Sequence, residues 1–292
     1  MTTRITICNG FFSLLILFLF SACQQNEKIF EGDPEFVVGN LAFPEGPVFM
    51  GNDLYFSNSY GGWIGRFTEK GTLDTFVDLS PYNFKPNGLY ASKNQELWVC
   101  EYQQGLILTV NNQGEVTAIL DYQGTQFSRP NDITYHKGLI YFTDPKTYAT
   151  NVRDGCIYIL DPETKKIRLF ATDLAFPNGI AGDPKGEKIY VCESALNRIS
   201  TLSIKNPEER SVFINLPGGD PDGIEFLDDQ TLFVAHFGGG KIYAINVSQK
   251  TLIDSVEFPG KRVSNCAVSP DKKYLYVTET ETHAIYRVPL HH

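Results

Sequence analysis

The stretch SRPNDITY (128–135) sets an arginine, a proline, an asparagine and an aspartate directly before a short apolar run. The same setting recurs as FPEGPVF at 43–49, KPNGLYA at 85–91, FPNGIAG at 176–182 and DPDGIEF at 220–226, with a weaker copy, VSNCAVS, at 263–269. The central residues are Glu45, Asn87, Asn131, Asn178, Asp222 and Asn265, separated by 42, 44, 47, 44 and 43 positions. A period of about 40–50 residues is the sequence signature of a propeller or a similar array. Pro-Asn-Gly and Pro-Asp-Gly read locally as turn formers. Pro44-Glu45-Gly46 does not fit that description, because Glu is not a favoured turn residue.

Each of these motifs is followed by a second apolar run: DLYFSN (53–58), ELWVCE (96–101), LIYFTD (139–144), KIYVCE (188–193), TLFVAH (231–236) and YLYVTE (274–279). A third run follows in every unit, for example LILTV and CIYIL, and a fourth in five units, for example VTAILDY and LIDSVEF. The runs are rich in Val, Ile, Tyr and Phe and are separated by Gly, Asn, Asp and Lys, as in short strands joined by turns. Four strands per unit, six times over, predict an all-β, six-bladed β-propeller over residues 35–292. The sixth unit ends at Leu290 without a fourth strand, and EFVVGNLAF (35–43) has the character to supply it and close the ring.

In a blade, the first strand lies nearest the axis. The six motif residues are therefore expected to converge on one axial pocket. The second strand runs back to the same end, so Asn58, Glu101, Asp144, Glu193, His236 and Glu279 are expected to form a further polar ring close behind. Rings of carboxylate and amide oxygens suit a hard divalent cation. No His/Cys cluster argues for a structural zinc.

The formal charge of −9 is a poor match to nucleic-acid binding, which relies on clustered Lys and Arg. Residues 1–22 have the form of an export leader, with Arg4 ahead of the apolar FFSLLILFLF (11–20). Ser21-Ala22-Cys23 resembles a bacterial lipobox, although Phe20 stands where that motif prefers Leu; an ordinary secretory cleavage is the alternative. The lipobox reading makes Cys23 a lipidated first mature residue and 23–34 a polar tether. It puts the protein in a bacterial cell envelope, on the periplasmic or extracellular side, with a lipid anchor as its membrane contact. Of six cysteines, Cys100, Cys156, Cys192 and Cys266 remain for the domain; none forms a CxxC pair, and they read as small buried hydrophobes.

FPEGPVF, RPNDI with YFTDP behind it, FPNGI and PDGI, in that order and at blade spacing, resemble the gluconolactonase, regucalcin (senescence marker protein) and diisopropyl fluorophosphatase group of metal-dependent propellers. The resemblance runs from about Leu41 to Leu290. It implies a single divalent cation, Ca²⁺ first, with Mg²⁺, Zn²⁺ or Mn²⁺ as alternatives. Its ligands are then Glu45, Asn178 and Asp222, with Asn131 bordering the metal and contacting substrate. It further implies Asp222 as catalytic base, Arg129 as a binder of substrate oxygens, and supporting roles for Asp132 and Asp144. Asn265 stands where the motif has lost its carboxylate and is expected as a turn or pocket-wall residue.

The activity implied is hydrolysis of a lactone, most simply a sugar lactone. A phosphoesterase using the same site, and an envelope propeller that binds carbohydrate or protein without turnover, are the competing readings. His236 is a further candidate for a general acid. A Ser-His-Asp enzyme is excluded by the lack of any G-x-S-x-G elbow.

Overall fold

Six four-stranded antiparallel sheets follow one another along the chain in the computed structural model, which describes residues 28–291. Blades 1 to 5 each use four strands consecutive in sequence, over 44–78, 86–120, 133–174, 177–215 and 220–257. Blade 6 takes Val263–Val268, Tyr274–Glu279 and Ala284–Pro289, and its fourth strand is Glu35–Val38. That strand pairs antiparallel with Ala284–Pro289 through Glu35↔Arg287 and Phe36↔Tyr286, and Arg287 Nε donates to Glu35 Oε2 at 2.8 Å. The ring therefore closes within one blade, as the missing sixth-unit strand predicts, and Glu35–Val38 covers the edge that Ala284–Pro289 would otherwise present.

Burial explains why the third strands read as continuous apolar runs. Leu106–Val110 and Gly155–Leu160 are buried along their whole length, whereas the outer strand Val116–Leu120 alternates between half-buried and exposed. Apolar side chains from adjacent sheets meet between blades: Tyr55 and Ile64 of blade 1 pack with Leu97, Val99 and Leu108 of blade 2. Cys100, Cys156, Cys192 and Cys266 are buried and unpaired, as expected.

Two expectations change. The motif residues do not sit in turns. In blade 4, Pro177 pairs with Glu193 and Ile180 with Val191, so three steps on the inner strand match two on its partner. Blades 1, 2 and 5 show the same extra residue between Glu45 and Val48, Pro86 and Leu89, and Pro221 and Ile224. These motifs, with Val263–Asn265 of blade 6, are β-bulges in innermost strands, a device that re-aims a side chain; in blade 3, Asn131 instead precedes the inner strand Ile133–His136, which pairs without a bulge. The glycine that follows the motif residue has a steric function. A Cβ on Gly179 would lie 2.1 Å from Asp222 O of the next blade, and one on Gly88 would lie 2.6 Å from Asn131 O. The bulges of adjacent blades touch at the axis, and only glycine permits that approach. Hydroxyl groups join them further: Ser57 Oγ donates to Asn87 O, Thr143 Oγ1 to Asn178 O, Ser194 Oγ to Pro221 O and Ser264 Oγ to Pro44 O, at 2.6 to 3.0 Å.

The second change concerns the segment read as tether. Its residues 29–31 are tied to the body, while Gly32 and Asp33 are exposed. The Ile29 and Phe30 amides donate to Asp254 Oδ2 at 2.8 and 3.1 Å, and Phe30 bridges to Leu290. The apolar Ile29 and Phe30 account for this: Phe30 is buried among Phe233, Phe258 and Leu290. The leader and Cys23 lie outside the described residues. Phe30→Ala is expected to destabilise the propeller by roughly 3–5 kcal/mol, the usual cost of such a cavity. An unchanged urea midpoint would show that the segment is not part of the core.

Candidate functional site

The second polar ring has a different use from the one its position suggested. Its carboxylates and amide accept backbone N–H groups from the loop that leads into the inner strand of their own blade. Asn58 Oδ1 accepts from Ala42 N, Glu101 from Lys85 N, Asp144 from Ser128 N and Arg129 N, Glu193 from Ala175 N and Glu279 from Arg262 N. Each accepted amide lies two or three residues before Glu45, Asn87, Asn131, Asn178 or Asn265. These buried side chains pin the loops that aim the motif residues; they are not cavity residues themselves. This is the supporting role of Asp144.

The motif residues do converge. Glu45, Asn87, Asn131, Asn178 and Asp222 line one cavity of about 230 Å³. Glu45 and Asp222 are both buried and their charges repel one another and that of Asp132. Burial, then Asp132, pushes the Glu45 carboxyl up to about 8. Burial, then Glu45, raises Asp222 well above the ordinary range, against a hydrogen bond with the Asn178 side chain that acts the other way. Asp132 reaches about 6 through burial, although it accepts Ile180 N–H at 3.0 Å. Asn265, expected as a turn or pocket-wall residue, does not line this cavity; it lines a second one, with Asp132.

Two facing buried carboxylates with no Lys or Arg partner among the described residues are an unfavourable arrangement in the protein alone. A divalent cation bound between them would resolve it. No three His, Cys, Asp or Glu side chains among the described residues are grouped to hold an ion. A cation here must also draw on amide oxygens, which Asn131 and Asn178 supply. Two carboxylates and two amides form a hard-oxygen donor set, so the residues present fit the ion expected.

Above this floor stands an aromatic collar: Phe43, Tyr60, Tyr102, Tyr148, Phe176 and Phe237. Phe43 and Phe176, each before a proline, have φ of 61° and 53°. That left-handed conformation is costly for a bulky residue and persists only where the surroundings fix it. Cations lie over three of the rings: Lys85 over Tyr60 at 5.2 Å, Arg129 over Tyr102 at 5.7 Å and Arg262 over Phe237 at 6.0 Å. Lys85, Arg129 and Arg262 are also residues whose amides the second ring holds, so one loop position stiffens both floor and collar.

Arg129 does not join the floor residues. It is exposed, its guanidinium lies against Tyr102, and it is not among the cavity's lining residues. His236 is fully buried, stacked edge-on against Tyr243, with burial lowering it to about 4 and its Nδ1 unpartnered. Sequence reasoning missed Asp220 and Tyr148, which line the cavity and meet at 2.7 Å; the acidic DPDG variant of the motif was the available signal for the first. It also missed Glu225, three residues beyond Asp222, which lines a separate axial cavity of about 330 Å³ with Asp132 and is raised to about 8 by burial and then by Asp132.

The raised carboxyls set a pH dependence for the metal-free protein. Glu45 is neutral in the fold up to about 8 against an ordinary value of 4.5, and Asp222 shifts the same way. Their contribution to stability is thus complete below about pH 4.5 and is lost as pH rises through about 8. Tm measured with chelator present should fall across that interval, and Glu45→Gln should flatten the slope. A Tm that rises with pH there would contradict the buried-pair geometry.

Residues 43–290 match the family described as SMP-30/Gluconolactonase/LRE-like region. A gluconolactonase from Zymomonas mobilis is 26% identical over 290 residues, spanning 87% of this chain and 80% of its own. The diisopropyl-fluorophosphatase of Loligo vulgaris is 27% identical over 284 residues, spanning 86% and 90%. A solved gluconolactonase from Xanthomonas campestris superposes with a TM-score of 0.78 at 23% identity, covering 90% of this chain and 91% of its own. A calcium-binding regucalcin from Agrobacterium tumefaciens superposes at 0.73 with 20% identity, covering 89% and 95%. The two structures establish a shared fold. The match over 43–290 goes further: this chain belongs to the SMP-30/gluconolactonase/LRE-like family.

Proposed function

We propose that the chain is a divalent-cation-dependent hydrolase of lactones, with Asp222 as general base. The observation that carries this reading is the convergence of Glu45, Asn131, Asn178 and Asp222 on one cavity floor, with the two carboxylates buried and unneutralised. Support comes from relatives named gluconolactonase, from Zymomonas mobilis, and lactonase, from Staphylococcus species. The residues that would hold the cation are Glu45, Asn131, Asn178 and Asp222. Ca²⁺ is the first choice for such a donor set, and the calcium-binding neighbour agrees with it; Mg²⁺, Zn²⁺ and Mn²⁺ are the alternatives. When bound, the cation supplies Lewis-acid polarisation of an ester carbonyl and keeps the neighbouring carboxylates ionised.

The chain's own residues supply the rest. Asp222, oriented by Asn178, takes a proton from the water that adds to the lactone carbonyl. As the ring C–O bond breaks, the alkoxide regains that proton and a hydroxy acid leaves. The aromatic collar holds the flat ring of the substrate and limits bulk water at the floor. A sugar lactone such as an aldonolactone is the first substrate to try, since its C–H faces stack on aromatic rings as well as an apolar lactone does. Arg129 reaches such a substrate only if it leaves Tyr102.

Chelated protein should be inactive on a panel of small lactones, and one cation should restore turnover. Asp222→Asn should lower kcat by about 10²–10⁴-fold, the usual range for a positioned base. A folded Asp222→Asn protein with full activity excludes the assigned role. Turnover of phosphoesters in place of lactones would shift the reading to that chemistry, for which the diisopropyl-fluorophosphatase relative is the precedent by name. A folded, cation-bound protein silent on both would favour the binding module.

On the same proposal the leader and Cys23 place this activity on a bacterial envelope, held by a lipid anchor. Cys23→Ser should move the protein from the membrane to the soluble fraction after fractionation; retention in the membrane would remove the anchor from the reading.

A further inference from the structure

Five of the six inner-strand loops are pinned by a side-chain acceptor at the end of the second strand of their blade. Blade 5, which carries Asp222, is different. Its residue at that position is His236, whose Nδ1 has no partner and whose Nε2 lies 3.4 Å from Asn197 Oδ1. No side chain among the described residues accepts an amide of its loop. Glycines pack directly on the imidazole instead: a Cβ on Gly219 would fall 2.8 Å from Cε1, and one on Gly239 would fall 2.1 Å from Nδ1. Gly218 and Gly219, both at positive φ, give this loop a backbone path that no side chain restricts. The Ser194 hydroxyl does hold Pro221 O, but equivalent hydroxyl-to-carbonyl contacts occur at three other blades in addition to their amide brace.

A different tie reaches the loop from across the mouth. Tyr148, on the connection between the second and third strands of blade 3, donates its hydroxyl to Asp220 Oδ2 at 2.7 Å. Its ring packs edge-on against Phe176, at the entry to blade 4, with centroids 5.1 Å apart. Tyr148 and Asp220 both line the cavity. We propose that Tyr148 and Asp220 are a positioning pair that replaces the missing brace of blade 5 and fixes the backbone that presents Asp222. Because the tie crosses the cavity mouth, the same contact borders the path by which a ligand reaches the floor. A ligand that displaces Tyr148 loosens the loop of the base, and one that slips beneath it does not. The pair therefore favours small, flat ligands. The catalytic consequence rests on the lactone-hydrolase reading; the mechanical one does not.

The test is hydrogen exchange by mass spectrometry on the full chain, with the cation affinity measured alongside by calorimetry. In Tyr148→Phe, which keeps the ring and its packing on Phe176, amides over 217–223 should exchange about tenfold faster, the effect of losing one hydrogen bond to a charged group. Peptides holding Lys85 and Arg129 should not change. Asp220→Ala should act like Tyr148→Phe, the double variant should be no worse than either single one, and Asp220→Asn, which keeps an acceptor, should restore slow exchange. Ca²⁺ should bind each loosened variant about tenfold more weakly. Unchanged exchange over 217–223 in Tyr148→Phe and Asp220→Ala, or additive effects in the double variant, overturns the pair. Faster exchange in a protein that binds no cation and opens no lactone would uphold the pair and sink the catalytic reading instead.

Discussion

The hydrogen bond from a loop amide to a buried acceptor at the end of the second strand is the contact on which the site depends. An axial cavity in a propeller is assembled from residues more than 40 positions apart, so no local sequence element can set its geometry. Each blade must aim its own side chain independently. Glu101, Asp144, Glu193 and Glu279, all almost completely buried, do this by taking loop amides that would otherwise be left without partners. Charge makes these bonds strong, and burial makes them selective for one loop path. The bulges then turn the motif residues toward the axis, and the glycines let neighbouring bulges touch.

The same loop position serves a second purpose at the rim. Lys85, Arg129 and Arg262 present their amides inward to the acceptor ring and their side chains outward over Tyr60, Tyr102 and Phe237. A cation above an aromatic ring holds it without entering the cavity. The collar thus gains rigidity from cations that do not line the cavity. Blade 5 departs from this scheme at both levels, with His236 where the acceptor should be and a tie borrowed from blade 3.

How much of this could be read in advance differs between fold and site. Second strands such as Asp53–Asn58, Leu139–Asp144 and Lys188–Glu193 begin and end where their apolar runs do, because hydrophobic alternation and turn residues act locally. Even the closing strand was legible, from a unit that lacked one. The convergence of Glu45, Asn131, Asn178 and Asp222 followed from the period alone. Rotamer and register decide the remainder, and neither is written locally. Arg129 lies beside the site in sequence but against Tyr102 in space. Asn265 looked like a degenerate turn yet lines a second axial cavity with Asp132 and Glu225. The apparent turns were bulges because a Pro-Asn-Gly next to a long strand partner has another way to satisfy its backbone.

Closure through Glu35–Val38 has a consequence for the order of events in the life of the chain. Glu35 and Arg287, bonded in the finished ring, are 252 residues apart. Five blades can form as they emerge, but the sixth has to wait for both ends, and until then its strands offer an open edge. A ring that shuts only with its last segment stays unsealed during synthesis. The last lock of the fold is thus a pairing between the two ends of the ring, and damage to Glu35–Val38 is felt in a blade built from the opposite end of the chain.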